Sequence, residues 1–346
     1  MENFSQISHI RYNALTGEKI LVSPHRTQRP WQGQQEIVER NFLPEHDKNC
    51  YLCTGNLRAG GIQNPDYKDT FVFTNDFSAL LPNISYIEER NDELFTIHSE
   101  RGICRVVCFS PLHNKTISEL SVASVKKVID LWQNEYCELA KKDFLKYVQI
   151  FENKGTAMGC SNPHPHCQIW ATETIPQEAL KEDFQQKKYF EKHKKSLLFN
   201  YLDSELIKQE RIVYENSAFV VLVPFWAVWP FETIIISRRH FQHIGQMNED
   251  EKLMLAEAWQ RLSEIYDKVF HISFPYSSGV HQAPVNVNDI EHWHFHLHFS
   301  PPLLRSATVR KFMVGYEMFG NPQRDITPES SAKILKEIGK TFNSAI

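Results

Sequence analysis

A chain of 346 residues, 42% hydrophobic and 23% charged, can bury a sizeable core and is not composed like a disordered one. Its 38 basic and 42 acidic residues are well mixed, for a net charge of −4, with no basic tail or stripe of the kind nucleic acid selects. The most apolar run, 218–231, is 14 residues long and contains Pro224 and Pro230, too short to span a bilayer.

The N-terminus, MENFSQISHIRYN, lacks the apolar core of a signal peptide. Seven cysteines without framework spacing fit free thiols or metal ligands in a reducing compartment, so a cytoplasmic location is expected. Cys50 and Cys53 have the spacing of half a zinc site, and no second Cys-x-x-Cys completes it. TFVFTNDFSALLP, from Thr70, reads as an apolar strand running into a turn, whereas the acidic stretch 87–100 carries no motif.

RVVCF, from Arg105, is a β-branched run and reads as a strand, with Cys104 and Cys108 facing the core. A helix follows, with Val122, Val125, Ile129, Trp132, Tyr136 and Leu139 at helical spacing and Ser121 as N-cap. NKGTAMGCSN, from Asn153, is a small-residue loop whose backbone can approach a ligand closely.

It leads into SNPHPHCQIW, where alternation along a strand puts His164, His166 and Gln168 on one face and Cys167 and Ile169 on the other. Pro163 and Pro165 remove backbone donors and hold their predecessors extended, so the histidines sit at the mouth of the strand. Neutral imidazole is a fair nucleophile near pH 7, which makes these histidines candidate catalytic groups. The lysine-rich segment 181–195 reads as an exposed helix.

The second half echoes the first. SAFVVLVPFWAVWP, from Ser217, pairs with the stretch near residue 70, and ETIII, from Glu232, is again a strand. Ser110 and Ser237 stand 127 positions apart, as do His113 and His240, and Ile117 and Ile244. Leu255, Trp259, Leu262, Tyr266 and Val269 make a second helix, opened by an Asn248–Glu251 capping box. HWHFHLHF, from His292, then alternates four histidines with apolar residues, so one strand face is expected to be all imidazole. The chain therefore reads as α+β, a duplicated unit of antiparallel strands, a helix, and a strand ending in His-x-His. The expected halves are 1–175 and 176–346, forming one compact body.

SNPHPHCQIW resembles the active-site motif of the galactose-1-phosphate uridylyltransferase family, the transferase branch of the histidine-triad superfamily. HWHFHLHFSPPLLRSATVRKFMVGYEMFG, LVSPHRTQRPWQG, YLCTGNLR and FVFTNDFSAL are similar to its other signature stretches, so the likeness spans about residues 10 to 325. It implies a duplicated histidine-triad-like fold, an antiparallel half-barrel sheet with helices packed on it. It also implies a ping-pong exchange in which UDP-glucose gives UMP to a histidine and galactose 1-phosphate takes it away as UDP-galactose.

Residue by residue, the resemblance implies His166 as nucleophile, with Gln168 where hydrolytic relatives carry a third histidine. It implies zinc on Cys50, Cys53, His113 and His164, and iron or zinc on Glu182, His281, His296 and His298. Arg26, Arg29, Asn75, Asp76, Asn153, Gly159 and Ser161 would meet the nucleotide. Lys311, Phe312, Val314, Tyr316, Glu317 and Gln323 would meet the hexose. The family also implies a homodimer with sites at the subunit interface, and no nucleic-acid or membrane partner. Cys167 departs from the glycine of many members, and it should point away from the phosphate. Two other readings stand beside it: an adenylyl-transferring enzyme or phosphorylase of the superfamily, which would keep His166 yet have no need of a hexose pocket around Glu317, and a metal-stabilised nucleotide-binding module without turnover.

Overall fold

Both His-x-His segments lead into strands, but each strand begins at the second histidine, giving His166–Thr172 and His296–Ser300. The expected all-imidazole strand face over residues 292–298 is therefore shorter than the alternation suggests. His292 and His294 precede the strand, and Trp293 N closes a turn on Ile290 O. Both histidines are buried and hydrogen-bonded: His292 to Asp183 (2.8 Å), His294 to the carbonyl of Ser237 (2.8 Å).

The computed structural model describes residue 4 and residues 6–29, 42–85, 87–90 and 93–343. One sheet holds nine strands in the spatial order Phe71–Thr74, Gly102–Cys108, His166–Thr172, Tyr147–Lys154, Tyr276–His281, His296–Ser300, Thr233–Ser237, Phe219–Leu222 and Ile212–Glu215. All of its pairings are antiparallel. The order is a palindrome of the repeat. From the centre outward, 147–154 answers 276–281, 166–172 answers 296–300, 102–108 answers 233–237, and 71–74 answers 219–222. The halves meet where Asn153 lies opposite Ser277 and Phe151 opposite Gly279, so the hydrogen-bond ladder is continuous across the junction.

Alternation then assigns the two faces. Val107, Cys167, Ile169, Ile235, Leu297 and Phe299 point into one core, covered by α1 (Val122–Ala140) and α4 (Glu249–Val269). Both predicted caps are present: Ser121 Oγ accepts from Ser124 N, and Asn248 and Glu251 form a reciprocal box. The helices meet through Trp132 and Trp259, whose ring centroids are 4.8 Å apart. Cys167 accepts the indole N–H of Trp132 at 3.2 Å, so its thiol does turn away from the His166 face.

On the opposite face, α2 (Gln177–His193) and α3 (Leu197–Lys208) flank the second half, where Leu198 and Leu202 pack on Ile234 and Ile236. The α2 helix is not merely an exposed one, because Ala179, Glu182 and Gln186 are buried while Lys187, Lys188 and Lys192 face out. The same face of the first half is covered by the segment around Cys50 and Cys53, packed on Val106 and Cys108. A small sheet of His9–Tyr12, Lys19–Val22 and Gln323–Arg324 ties the C-terminal arm to the N-terminus. No helix among the described residues is long and apolar enough to cross a membrane.

Candidate active site and metal centres

His166 opens the strand, and its Nδ1 lies 2.7 Å from the carbonyl oxygen of His164. A carbonyl only accepts, so Nδ1 carries the proton and the lone pair is on Nε2. Burial lowers the His166 pKa from 6.5, opposed in part by that hydrogen bond, so the ring is neutral at pH 7. The ring borders a cavity of about 460 Å3 lined also by Tyr51, Arg58, Phe73, Asn75, Asp76, Ser161 and Gln168. An adjoining recess of about 60 Å3 shares Ser161, His166 and Gln168 and adds Asn153, Gly159 and Cys160. Gly159 is left-handed there (φ 76°), and a Cβ on it would meet no atom within 4 Å. The chain therefore turns tightly beside the recess without filling it.

Three side-chain amides around these spaces are oriented alike. Gln168 Oε1 accepts the indole N–H of Trp170 at 3.0 Å, and Asn153 Oδ1 accepts Ser277 Oγ–H at 2.6 Å. Asn75 Oδ1 accepts Phe77 N at 3.0 Å. In each amide the acceptor is occupied, which leaves the NH2 group for a ligand. A space lined by amide donors beside an unprotonated imidazole suits an anionic, electrophilic group such as a phosphate ester. A larger cavity, about 570 Å3 around Arg11 and Glu329, has no histidine or cysteine in its lining and offers no comparable chemistry.

His164, two residues before this strand begins, does a second job. His164 Nε2 donates to Ser110 O at 2.9 Å, which leaves Nδ1 facing Cys53 Sγ at 3.5 Å. His113 Nδ1 lies 3.6 Å from the same sulfur. Ligand atoms of Cys50, Cys53, His113 and His164 all fall within 4.8 Å of one another, and all four residues are buried. Burial pushes the Cys53 thiol up to about 11 and the His164 imidazole down to about 4. A bare thiol there stays protonated, whereas a bound cation would deprotonate it, and Cys2His2 is a donor set that fits zinc. All seven cysteines are free of disulfides.

The second cluster forms where α2 lays Glu182 over the His296 strand. His281 Nδ1 is 2.7 Å from Glu182 Oε1, His296 Nε2 3.3 Å from Oε2, and His298 Nε2 3.6 Å from Oε1. His296 Nε2, His298 Nε2 and Glu182 Oε2 are buried without hydrogen-bond partners among the described residues. Three convergent buried polar atoms of this kind are costly unless a cation joins them. Burial acts to raise the Glu182 pKa, but His281 and His296 hold it well below the usual range. Burial, helped by the neighbouring His281 and His296 and opposed by Glu182, takes His298 down to about 4. One carboxylate and three imidazoles fit iron or zinc.

The remaining expected residues gather elsewhere. Glu317 takes both Lys311 Nζ contacts at 2.6 Å and accepts Gln323 N at 2.7 Å. Gln323 Nε2 donates to Asp325 Oδ1 at 2.7 Å, and Arg26 Nε is 3.4 Å from the same oxygen. Arg305 donates to the carbonyls of Arg29 and Arg26. None of Arg26, Arg29, Lys311, Phe312, Val314, Tyr316, Glu317 and Gln323 lines the His166 cavity of the same chain. Phe312, Val314 and Tyr316 are more than half exposed. The stretch 21–33 is seen in part, since Pro30–Gly33 lie outside the described residues.

The comparisons with known proteins are decisive here. The model of the galactose-1-phosphate uridyl transferase N-terminal domain matches residues 1–176, and that of its C-terminal domain matches residues 182–345. The chain belongs to the galactose-1-phosphate uridylyltransferase family. It is thus a nucleotidyltransferase. A galactose-1-phosphate uridylyltransferase of Haemophilus influenzae is 49% identical over 332 residues, covering 96% of this chain and 95% of that one. One from Saccharomyces cerevisiae is 47% identical over 351 residues, with 97% and 96% covered. A solved uridylyltransferase structure superimposes with a TM-score of 0.77 at 24% identity, covering 97% of this chain and 99% of its own, which supports the fold.

Two residues of this uridylyltransferase-family site escaped the sequence reading. Trp170, which orients Gln168, shares its strand face by the same two-residue alternation and could have been found that way. Arg58 closes the YLCTGNLR stretch, five residues after Cys53, and a lone loop arginine gives no signal of its own.

Proposed function

We propose that the chain moves a uridylyl group from UDP-glucose to galactose 1-phosphate through a covalent histidine. His166 Nε2 attacks the α-phosphorus, the bond to the β-phosphate oxygen breaks, and glucose 1-phosphate leaves. The new N–P bond makes the ring cationic, with Nδ1–H donating to the His164 carbonyl and stabilising that charge. A phosphate oxygen of galactose 1-phosphate then attacks the same phosphorus, the N–P bond breaks, and neutral His166 returns. No proton is transferred in either step. The amides of Gln168 and Asn153 would donate to the non-bridging oxygens as charge shifts.

Asn75 and Asp76 would hold the ribose, with Gly159 and Ser161 beside the phosphates. Zinc on Cys50, Cys53, His113 and His164 would supply a four-coordinate cross-link, and an iron or zinc ion on Glu182, His281, His296 and His298 a second one. The arm with Lys311, Phe312, Val314, Tyr316, Glu317 and Gln323, together with Arg26 and Arg29, would serve the hexose phosphate. Its separation from the cavity of its own chain favours a homodimer in which it reaches the second copy.

The observation that carries this reading is the Nδ1–carbonyl contact, which leaves His166 Nε2 unprotonated at an open cavity lined by donors. Incubation with UDP-glucose labelled in the α-phosphate should leave label on His166, and galactose 1-phosphate should release it as UDP-galactose. Label retained from an adenine nucleotide instead would favour the adenylyl-transferring alternative. Tight binding without label transfer would favour a binding module.

A further inference from the structure

Arg58 lies in the wall of the His166 cavity, and the family reading leaves it without a task. Its side chain is 9% exposed, and Nη1 donates to Asp76 Oδ1 at 2.9 Å. The guanidinium carbon sits 3.9 Å from the centre of the Phe73 ring, and Nε is buried without a partner among the described residues. A desolvated guanidinium with one orphan nitrogen depends on this carboxylate, its one ion-pair partner among the described residues, for charge compensation. Conversely, the carboxylate has one oxygen pinned by a side chain that cannot be deprotonated and that sits over an aromatic ring.

The loop carrying Arg58 is itself fastened. Arg58 N donates to Ile62 O at 2.8 Å, and Leu57 bridges to Gln63. Just outside the loop, Asn56 Nδ2 donates to the carbonyls of Asp47 and Cys50, and Asn64 Nδ2 to those of Tyr51 and Cys53. The Cys50–Cys53 turn therefore fixes the loop, the loop fixes Arg58, and Arg58 fixes Asp76. On the other side, Asn75 N holds to Cys104 O at 2.9 Å, so the backbone beside Asp76 is also tied to the sheet. Asp76 thus presents one oxygen engaged and one available. That arrangement suits a pair of vicinal hydroxyls, which need a fixed acceptor.

We infer that Arg58 is a positioning residue, which orients the Asp76 carboxylate for a vicinal diol and thereby sets discrimination between ribose and deoxyribose nucleotides. The inference rests on the proposed uridylyl transfer and assigns the specificity of its nucleoside subsite to a contact between two residues of the cavity wall. Arg58 need not touch the ligand in order to act.

The test compares kcat/KM for UDP-glucose and its 2′-deoxyribose analogue in the full-length protein and in Arg58→Gln, Arg58→Lys and Asp76→Asn. The unaltered protein should prefer the ribose substrate by about tenfold or more, the worth of one good charge-assisted hydrogen bond. Arg58→Gln should raise KM for the ribose substrate by about tenfold and bring the preference close to one. Arg58→Lys, which keeps the charge but not the planar fork, should fall between. On the Asp76→Asn background, Arg58→Gln should not change the preference further.

Both substrates are read on the same preparation, so partial unfolding lowers both rates together and leaves their ratio intact. If Arg58→Gln kept the unaltered preference, or if it weakened both substrates equally as a direct phosphate contact would, the inference would be overturned. If the unaltered protein failed to turn over UDP-glucose at all, the proposed function itself would fall, which is a different result.

Discussion

His166 and His296 make the same contact in the two halves of the molecule: each ring places Nδ1 2.7 Å from the carbonyl oxygen of the histidine two residues before it. In both, the proton is held on Nδ1 and the lone pair is on Nε2. The surroundings then divide the outcome. His166 borders open space, whereas His296 is wholly buried against Glu182. One device thus offers a candidate nucleophile in one half and a candidate metal ligand in the other. His166→Ala should lower turnover by about 10^4–10^6-fold, as loss of a covalent nucleophile does, and abolish retained UMP label. His296→Ala should keep label on His166 while losing the second ion by elemental analysis.

The acid limb of the first half-reaction should lie below pH 6.5, because burial depresses the His166 pKa from that value. The sign follows from the chemistry: protonation removes the attacking lone pair, so the rate falls as pH drops through the depressed pKa and is flat above it. Single-turnover release of glucose 1-phosphate against pH measures this. A limb centred above 6.5 would contradict it.

Gln168→His should raise hydrolysis of UDP-glucose relative to transfer by about tenfold or more, since an imidazole can exchange protons with water and an amide cannot. Trp170→Phe should move the same ratio less, by freeing the Gln168 amide to rotate. Product analysis with and without galactose 1-phosphate reads both. An unchanged ratio in Gln168→His would remove the amide from the account of transfer selectivity.

Zinc removal should slow the enzyme as well as destabilise it. His164 supplies both a candidate metal ligand through Nδ1 and, through its backbone carbonyl, the acceptor that orients His166. Cys53→Ser should lose about one equivalent of zinc and several kcal/mol of stability, with melting temperature and metal content as readouts. Glu182→Gln should instead remove the second ion and leave the zinc in place.

Glu152 provides a pH signature away from the chemistry. It is buried in the core, and burial raises its carboxyl from 4.5 to about 7. A raised carboxyl pKa contributes stability that is complete below 4.5 and is lost as pH rises through about 7, because the unfolded chain ionises first. The loss amounts to about 3 kcal/mol for a shift of that size. Glu152→Gln should therefore gain stability relative to the unaltered protein between pH 5 and pH 8 in denaturant titrations. Equal stabilities at pH 8 would count against it.

The strand pattern was legible because alternation is local: His166 and Gln168 share a face whatever surrounds them. So were the two long helices, whose caps lie within three residues of the turns they close. The palindromic strand order could not be read, since nothing local to Tyr147–Lys154 says that it pairs with Tyr276–His281. The imidazole alternation over 292–298 overstated the strand, because a local turn closes at Ile290–Trp293 and the buried partners of His292 and His294, Asp183 and Ser237, lie far away in sequence. Likewise the lysines of α2 suggested an exposed helix, while its buried face, with Glu182 and Gln186, is defined by what it packs against. Arg26 and Arg29 joined the C-terminal arm rather than the cavity for the same kind of reason, contacts with Arg305 and Asp325 at the far end of the sequence.

The unbroken ladder between Asn153 and Ser277 invites cutting the protein in two. A break at the joint between α2 and α3, near Lys194, would leave Glu182 on one fragment and His281, His296 and His298 on the other. The fragments would find each other through complementary strand edges, and a shared ion would weld them. Reassembly of such a split enzyme should therefore depend on metal supply, turning a buried cluster into a ligand-controlled fastener.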